Sequence, residues 1–376
     1  MIDELRGINL NGYSLSDSLK TSLRELPPYA ALEDVEFLAT ELGINLHSVI
    51  KVDGNENPYG PSNETIRAIQ SLREINIHRY GDADQRRLRS AIAGHLSVEF
   101  DSIICGNGSD ELIDLMFRLF INTGDNIVIS SPTFGMYSFD ASLHGANVVD
   151  VPLLDDWQFD EDALTKAAHD AKLVFIPSPN NPTGNTIPRH LVRKLLETGA
   201  VVVIDEAYIE FSKDNSLAAE VRDIPNLVVL RTFSKWGGLA GLRIGYGIMH
   251  PELVSICLQA KQPYNISVIA EAAALAALAD SATLDSQAEI ISAERDRMSV
   301  ELAKIEWMSP WPSDASFILF RLDGISGLGL RDKLRSQGIF TRYIAHPRLE
   351  NHLRISIATP EENDRIIGAI REIEPE

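Results

Sequence analysis

Five short apolar runs recur through the middle of the chain: NIVISS from Asn126, LVFIPSP from Leu173, AVVVIDEAY from Ala200, LVVLRTFS from Leu227 and RIGYGIM from Arg243. Their apolar residues are consecutive instead of alternating, so a strand made from such a run must be covered on both faces. Helical patterns such as DELIDLMFRLF from Asp110 and RHLVRKLLETG from Arg189 separate them. Strands covered on both sides and alternating with helices predict an α/β unit around a mostly parallel sheet. From about residue 265 the pattern changes to long helices and later strands, ASFILFRL and HLRISIAT, which predicts a second, α+β unit.

The chain has 376 residues, 44% hydrophobic and 23% charged, enough to bury a sizeable core and far from the composition of a disordered chain. Its 54 acidic residues are scattered, and the net charge of −20 opposes binding to nucleic acid or anionic lipid. The sequence has no basic cluster to offset that charge. The opening MIDELRGINL lacks a basic start followed by an apolar stretch. VIAEAAALAALAD, from Val268, is interrupted by Glu271 and reads as a buried helix, not a membrane span. Cys105 and Cys257 have no paired spacing, and His144, His169, His190 and His346 have no helical i, i+4 partner, so neither a disulfide framework nor a metal site is expected. No G-x-S-x-G elbow or phosphate-binding G-x-x-x-x-G-K-[ST] loop occurs. The cytoplasm is the expected compartment.

In a mostly parallel sheet, ligands collect beyond the carboxyl ends of the strands. Asn181 follows LVFIPSP, Asp205 ends VVVID, and Ser234 with Lys235 follows VVLRTF, so three loops deliver an amide, a carboxylate and an amine to one rim. CGNGSDELIDLMFRLF reads as a glycine turn opening a helix with Ser109 as its cap, and the free N–H groups of such a helix start suit an anion. Asp110 and Glu111 would repel a phosphate there unless turned away, whereas Ser234 and Arg243 add a donor and a positive charge. An anion site, a lysine and a carboxylate in that relation describe a pyridoxal phosphate pocket. In such a pocket the lysine bonds the aldehyde and the carboxylate keeps the ring nitrogen protonated.

SPNNPTG, DEAYIEF, TFSKWGGLAGLRIGYG and HLRISIAT occur in the order seen in fold type I pyridoxal phosphate aminotransferases. With NENPYGPS, HRYGD, GNGSDELI and SPTFGMYS, the chain resembles the histidinol-phosphate aminotransferase family from about Leu26 to Arg365. The resemblance implies a large domain over residues 51–265 with a mostly parallel sheet flanked by helices. Residues 266–376 would form a smaller α+β domain, joined by residues 1–50, which also cover the active site. It implies that Lys235 bonds the cofactor, that Asp205 pairs with its ring nitrogen, and that Tyr208 and Asn181 hydrogen-bond its phenolic oxygen. Ser109 and Asp110, through backbone N–H groups, with Ser234 and Arg243 would hold the phosphate, and Phe134 would cover the ring where the family often has tyrosine.

Arg354 resembles the arginine that grips a substrate carboxylate. Tyr80 in HRYGD resembles the tyrosine that crosses a dimer interface to the neighbouring copy's cofactor phosphate. Tyr29, Asn55 and Arg342 resemble substrate-binding groups. The chain departs from the family's usual pattern at Gly81, where proline is common, at Ser316, where asparagine is common, and over residues 344–350. The implied reaction is amino transfer between histidinol phosphate and 2-oxoglutarate, in a homodimer that binds small molecules and neither nucleic acid nor membrane. An aromatic aminotransferase would use the same residues around a different side-chain pocket, and a threonine-phosphate decarboxylase is built on the same scaffold. A cofactor-sensing regulator would require a basic DNA-binding unit that the sequence lacks.

Overall fold

The computed structural model describes residues 14–20, 23, 32, 34–71 and 77–375; Tyr29 lies outside them. Its strands run from β1 (Ile50–Val52) through β2 (Ile103–Gly106), β3 (Asn126–Ile129), β4 (Asn147–Asp150), β5 (Leu173–Pro177), β6 (Val201–Asp205), β7 (Leu227–Thr232) and β8 (Gly245–Met249). They continue with β9 (Met308–Pro310), β10 (Phe317–Leu322), β11 (Ile339–Thr341) and β12 (His352–Ser356). The main helices are α1 (Val35–Leu42), α2 (Arg86–Leu96), α3 (Gly108–Phe120), α4 (Met136–His144), α5 (Arg189–Leu196), α6 (Pro251–Ala260), α7 (Val268–Ala279), α8 (Ser281–Leu302), α9 (Gly327–Arg335) and α10 (Pro360–Arg371).

Seven strands form one sheet in the order β2-β8-β7-β6-β5-β3-β4, and β8 alone runs antiparallel to its neighbours. The consecutive apolar runs explain the layers on both sides. Val202 and Ile204 of β6 join a core cluster with Leu88 of α2 and Leu191 of α5, whereas Val203 between them joins another with Phe117 of α3 and Leu253 of α6. Successive side chains of a strand point to opposite faces, so a run with no polar member fits only a sheet sandwiched by helices. Each fully buried Val, Leu or Ile contributes about 1.5–3 kcal/mol. A charge at Val203, whose side chain is fully buried, would meet no partner in that apolar layer.

The later elements follow equally local rules. Ser267 caps α7 by accepting from Ala270 N–H, and Thr359 with Glu362 forms a reciprocal capping box at α10, with Pro360 in the first turn. Ala270, Ala273, Ala274 and Ala277 of α7 are buried, as expected of the alanine-rich run. β10 lies between β9 and β12 in an antiparallel sheet, and β1 pairs in parallel with β11, Ile50 opposite Ile339 and Val52 opposite Thr341. Among the described residues no helix is long and apolar enough to cross a membrane.

Candidate active site

Beyond the carboxyl ends of β5, β6 and β7 lies a cavity of ≈ 1400 Å³. Asn181, Asp205 and Lys235 all line it, each delivered by the loop or strand end that the sequence assigned. Lys235 follows β7 through a turn in which Ser234 N–H donates to Thr232 Oγ1 at 3.0 Å. Its Nζ donates to the carbonyl of Gly54 at 2.8 Å. Burial, then the nearby charge of Arg354, pulls its amine down to about 8. A lysine lowered in this way has an appreciable neutral fraction near neutral pH, which an aldehyde-bonding nucleophile requires. Gly238 closes the turn at φ +65°, and a Cβ there would lie 2.5 Å from the carbonyl carbon of Gly60. This is why the lysine is followed by glycines.

Asp205 is the last residue of β6 and only 4% exposed. Tyr137 Oη donates to its Oδ2 at 2.8 Å and Ala207 N–H to its Oδ1 at 3.1 Å. Burial pushes its carboxyl up to about 6 in spite of those two donors. A buried carboxylate facing a cavity suits a cationic group bound against it, as a protonated pyridine ring would be. Around the middle of the cavity, Asn55 Nδ2 donates to Tyr208 Oη at 2.9 Å, and Ser356 Oγ donates to Asn55 Oδ1 at 2.7 Å. Arg354 Nη1 donates to Asn181 Oδ1 at 2.6 Å, and Nη2 donates to the carbonyl of Asp53. Phe134 lines the cavity and meets Tyr137 edge-on, with centroids 5.6 Å apart.

The anion end is the start of α3. The helix begins at Gly108, so Asn107 occupies the cap position and makes no side-chain cap bond. Ser109 is therefore not the cap, a correction to the sequence reading; it is the second helical residue, where its backbone N–H belongs to the open first turn. Glu111 is turned back instead. Its Oε2 accepts from Asn107 N–H at 2.6 Å and from Asn265 Nδ2 at 2.7 Å, which removes the expected conflict with a phosphate. Asp110 is likewise engaged, its Oδ2 receiving Arg243 Nη2 at 2.8 Å. Thr232 Oγ1 donates to Ser234 Oγ at 2.9 Å, so the Ser234 hydroxyl hydrogen is directed elsewhere. Gly108 has φ +77°, and a Cβ on it would stand 2.6 Å from Arg243 Nη2. Glycine thus clears the space where Arg243 approaches the helix start. An N-terminal helix turn, a hydroxyl and a guanidinium form a phosphate cradle, so this donor set fits pyridoxal phosphate from end to end.

Arg342 also lines the cavity and is tied to Arg354 by its backbone, each N–H donating to the other's carbonyl at 3.0 Å. Residues paired in this way project to one side of the ladder. Arg331 and Arg335 of α9, one turn apart, line the cavity too. Sequence alone does not single them out, because GLGLRDKLRSQG has the charge pattern of an ordinary solvated helix face. Arg335 Nη2 pairs with Glu41 Oε2 of α1 at 2.7 Å. Tyr343, Ile344 and Ala345 complete the wall, and the unusual segment after them is pinned by Arg348, which stacks 4.8 Å over Trp157 and donates to Leu154 carbonyl at 2.9 Å.

Two residues lie apart from this cavity. Ser316 is 3% exposed and does not line it. Tyr80 does not line it either; it is 83% exposed and stacks on Tyr264 at 4.5 Å.

Comparisons with known proteins agree with this site. The family model described as aminotransferase class I and II matches residues 47–370. A histidinol-phosphate aminotransferase of Roseiflexus castenholzii is 42% identical over 96% of this chain and 99% of its own, and a chloroplastic one of Nicotiana plumbaginifolia is 38% identical over 94% and 86%. The crystal structure of histidinol-phosphate aminotransferase from Sinorhizobium meliloti, in complex with pyridoxal-5'-phosphate, superposes with a TM-score of 0.86 at 29% identity, covering 97% of this chain and 98% of that one. An L-threonine-O-3-phosphate decarboxylase from Porphyromonas gingivalis shares the fold, with a TM-score of 0.75 at 22% identity over 86% of this chain and 98% of its own. With the fold, the site and these relatives in agreement, the chain belongs to the pyridoxal phosphate-dependent class I and II aminotransferases and, within them, to the histidinol-phosphate aminotransferase family.

Proposed function

We propose that this aminotransferase exchanges an amino group between histidinol phosphate and 2-oxoglutarate, giving imidazole acetol phosphate and glutamate, a step of histidine biosynthesis. The observation that carries this reading is a second group of arginines lining the cavity, Arg342 and Arg354 tied by their backbones together with Arg331 and Arg335 of α9. Arg243 and the start of α3 already serve one phosphate. A second group of guanidinium ions serves another anion, the phosphate of histidinol phosphate in one half-reaction and a carboxylate of glutamate in the other.

Pyridoxal phosphate, when bound, supplies an aldehyde to receive the amine and a ring that withdraws electrons from the substrate. The chain supplies the remainder. Lys235 Nζ carries the proton to and from the substrate Cα, for which a lysine lowered to about 8 is suited. The Asp205 carboxylate holds the proton on the ring nitrogen, and Asn181 and Tyr208 orient the phenolic oxygen. Phe134 covers the ring face. Ser109 and Asp110 N–H groups, Ser234 and Arg243 hold the phosphate, Arg354 takes the α-carboxylate of glutamate, and Asn55, Arg342 and Tyr29 contact the substrate.

Two copies form the working enzyme, and the highly exposed Tyr80 reaches the neighbour's phosphate end. The bond of Arg365 to the Ser48 carbonyl and the Glu41–Arg335 pair support a division in which residues 1–50 join the unit of residues 266–376 beside the large unit of residues 51–265, although Lys51 and Val52 of β1 also pair with β11. The net charge of −20 suits a cytoplasmic enzyme of small molecules that avoids nucleic acid and anionic membranes. The deciding experiment is a panel of amino donors, scored by the cofactor's absorbance and by keto-acid product. Histidinol phosphate should exceed phenylalanine in kcat/KM. A preference for phenylalanine would make the enzyme an aromatic aminotransferase, and release of carbon dioxide from threonine phosphate would make it a decarboxylase.

A further inference from the structure

Tyr137 has no place in the mechanism above, yet its hydroxyl is bonded to the carboxylate at the centre of that mechanism. It is the second residue of α4, with a fully buried side chain that does not line the cavity. Its ring is held between aromatic neighbours. It stacks on Phe175 of β5 with centroids 5.0 Å apart and planes at 14°, Phe175 stacks on Phe117 at 5.2 Å, and Phe134 meets Tyr137 edge-on at 84°. A ring wedged in this way leaves the hydroxyl little freedom beyond the direction of its hydrogen. That hydrogen goes to Asp205 Oδ2 at 2.8 Å.

The surroundings are otherwise those of a phenylalanine site, since a buried hydroxyl is costly unless it is bonded. The tyrosine is accounted for by the carboxylate it touches. A carboxylate oxygen accepts more than one hydrogen bond. With Tyr137 Oη on Oδ2 and Ala207 N–H on Oδ1, both oxygens are held by the protein while Asp205 still lines the cavity.

We propose that Tyr137 is a positioning residue for amino transfer: its hydroxyl fixes the plane and the charge of Asp205, so that the carboxylate meets the cofactor's ring nitrogen already oriented. The proposal rests on the assignment of Asp205 to that nitrogen. The same ring is edge-on to Phe134, so one side chain sets both the carboxylate at the ring nitrogen and the aromatic surface over the ring. The charged and titratable groups around the pair are Asp110 of α3, Glu206 beside Asp205 and Tyr208 beyond it. Asp110 and Glu206 both disfavour a charge on Asp205, and the Tyr137 hydroxyl and Ala207 N–H are the donors that favour it. Removing the hydroxyl therefore moves the carboxylate's titration upward.

The test is a double-mutant cycle of Tyr137→Phe, which keeps the wedged ring, with Asp205→Asn. In the cofactor-free chain, infrared difference spectra against Asp205→Asn should show the Asp205 carboxylate titrating at higher pH in Tyr137→Phe. In the loaded enzyme Tyr137→Phe should lower kcat about ten- to a hundredfold, the loss of one charge-assisted hydrogen bond. KM for the amino donor should stay within about threefold, because Tyr137 does not line the cavity. In the Asp205→Asn background the same change should alter kcat less than about twofold, since a residue acting only through Asp205 has nothing left to act on. An unmoved titration with unchanged kcat overturns the proposal. So does an equal loss of kcat in both backgrounds, which would mean a role in packing. A near-normal kcat for Asp205→Asn alone would sink the assignment of Asp205, and this proposal with it, and is distinguishable because it does not involve Tyr137.

Discussion

At the Lys235 end of the cavity the working side chains stand at or just beyond the ends of buried strands, and each is held by short bonds to the frame: Lys235 to Gly54, Asp205 to Tyr137 and Ala207. Around Arg342 they stand just after β11, on β12 and on the amphipathic helix α9, and one of them, Arg335, pairs with Glu41, whose side chain is 49% exposed. The first end keeps ionisable groups under tension, an amine lowered to about 8 and a carboxyl raised to about 6, because both are buried and await a cofactor that matches them. The second group holds permanent cations, from the buried Arg354 to the partly exposed Arg331, Arg335 and Arg342, and guanidinium groups can meet phosphate or carboxylate in turn. The titratable groups thus stand at the ends of buried strands, and the permanent cations on the elements around β11, β12 and α9.

The comparison is tested most severely by Lys235→Ala. Turnover should fall by roughly four to six orders of magnitude, the scale of deleting a covalent catalytic residue. The phosphate cradle should still retain cofactor through gel filtration without the absorbance band of the lysine-bound form. Normal amino transfer by this variant would remove the central assignment.

Asp205→Asn probes the tension itself. In the cofactor-free chain the carboxyl titrates near 6 against an ordinary 3.8, so the folded state binds its proton more tightly than the unfolded state does. Asp205 therefore contributes its stability below pH 4 and loses it as the pH rises through 6. The difference of about two units corresponds to about 3 kcal/mol. Thermal or urea melts of the cofactor-free chain should show Asp205→Asn more stable than the natural chain at pH 7 to 8, with the gap closing towards pH 4. Loading the cofactor should reverse the order, because a ring cation compensates the carboxylate and not the amide. No gap at pH 8 would mean that Asp205 is not held under tension at all.

These two residues were legible because their signal is local. VVVID and VVLRTFSK each carry an apolar strand straight into the functional residue, so the rule that ligands gather at strand ends locates them without knowledge of the fold. The Tyr137–Asp205 bond joins positions 68 apart, and no pattern in SPTFGMYS announces it beyond a tyrosine three places after Phe134. Serine is a good cap, which points to Ser109, but Glu111 reaches back to Asn107 and the helix starts earlier. Arg331 and Arg335 carry the charge pattern of a solvated face, and only the packing of α9 turns them to the cavity. Arg354 sits in an alternating strand where arginine commonly points to water; its partner Asn181 stands in the turn after β5, 173 positions away in sequence.

Arg342→Ala addresses the rim. Removing one charge-assisted contact to a bound phosphate costs roughly 1.5–3 kcal/mol, about ten- to a hundredfold in affinity. KM for histidinol phosphate should rise by that factor in steady-state assays while kcat and the Lys235 absorbance hold. Equal losses for histidinol phosphate and phenylalanine would assign Arg342 to general packing instead.

The smallest effect is expected at Glu41, and its sign is informative. The Glu41–Arg335 pair spans 2.7 Å between side chains 49% and 26% exposed, so it belongs to the class of surface ion pairs contributing about 0.2–1 kcal/mol. Glu41 does not line the cavity, but through this pair it competes with any anion there for Arg335. Glu41→Gln should lower KM for histidinol phosphate by up to about fivefold, with no change in kcat. The gain should shrink as ionic strength rises, because partly exposed charges are screened over about 10 Å at 0.1 M salt. A tenfold or larger rise in KM would give the opposite picture: α1 would be a rigid part of the substrate site, held by that one ion pair, and the rim would be as firmly built as the lysine end.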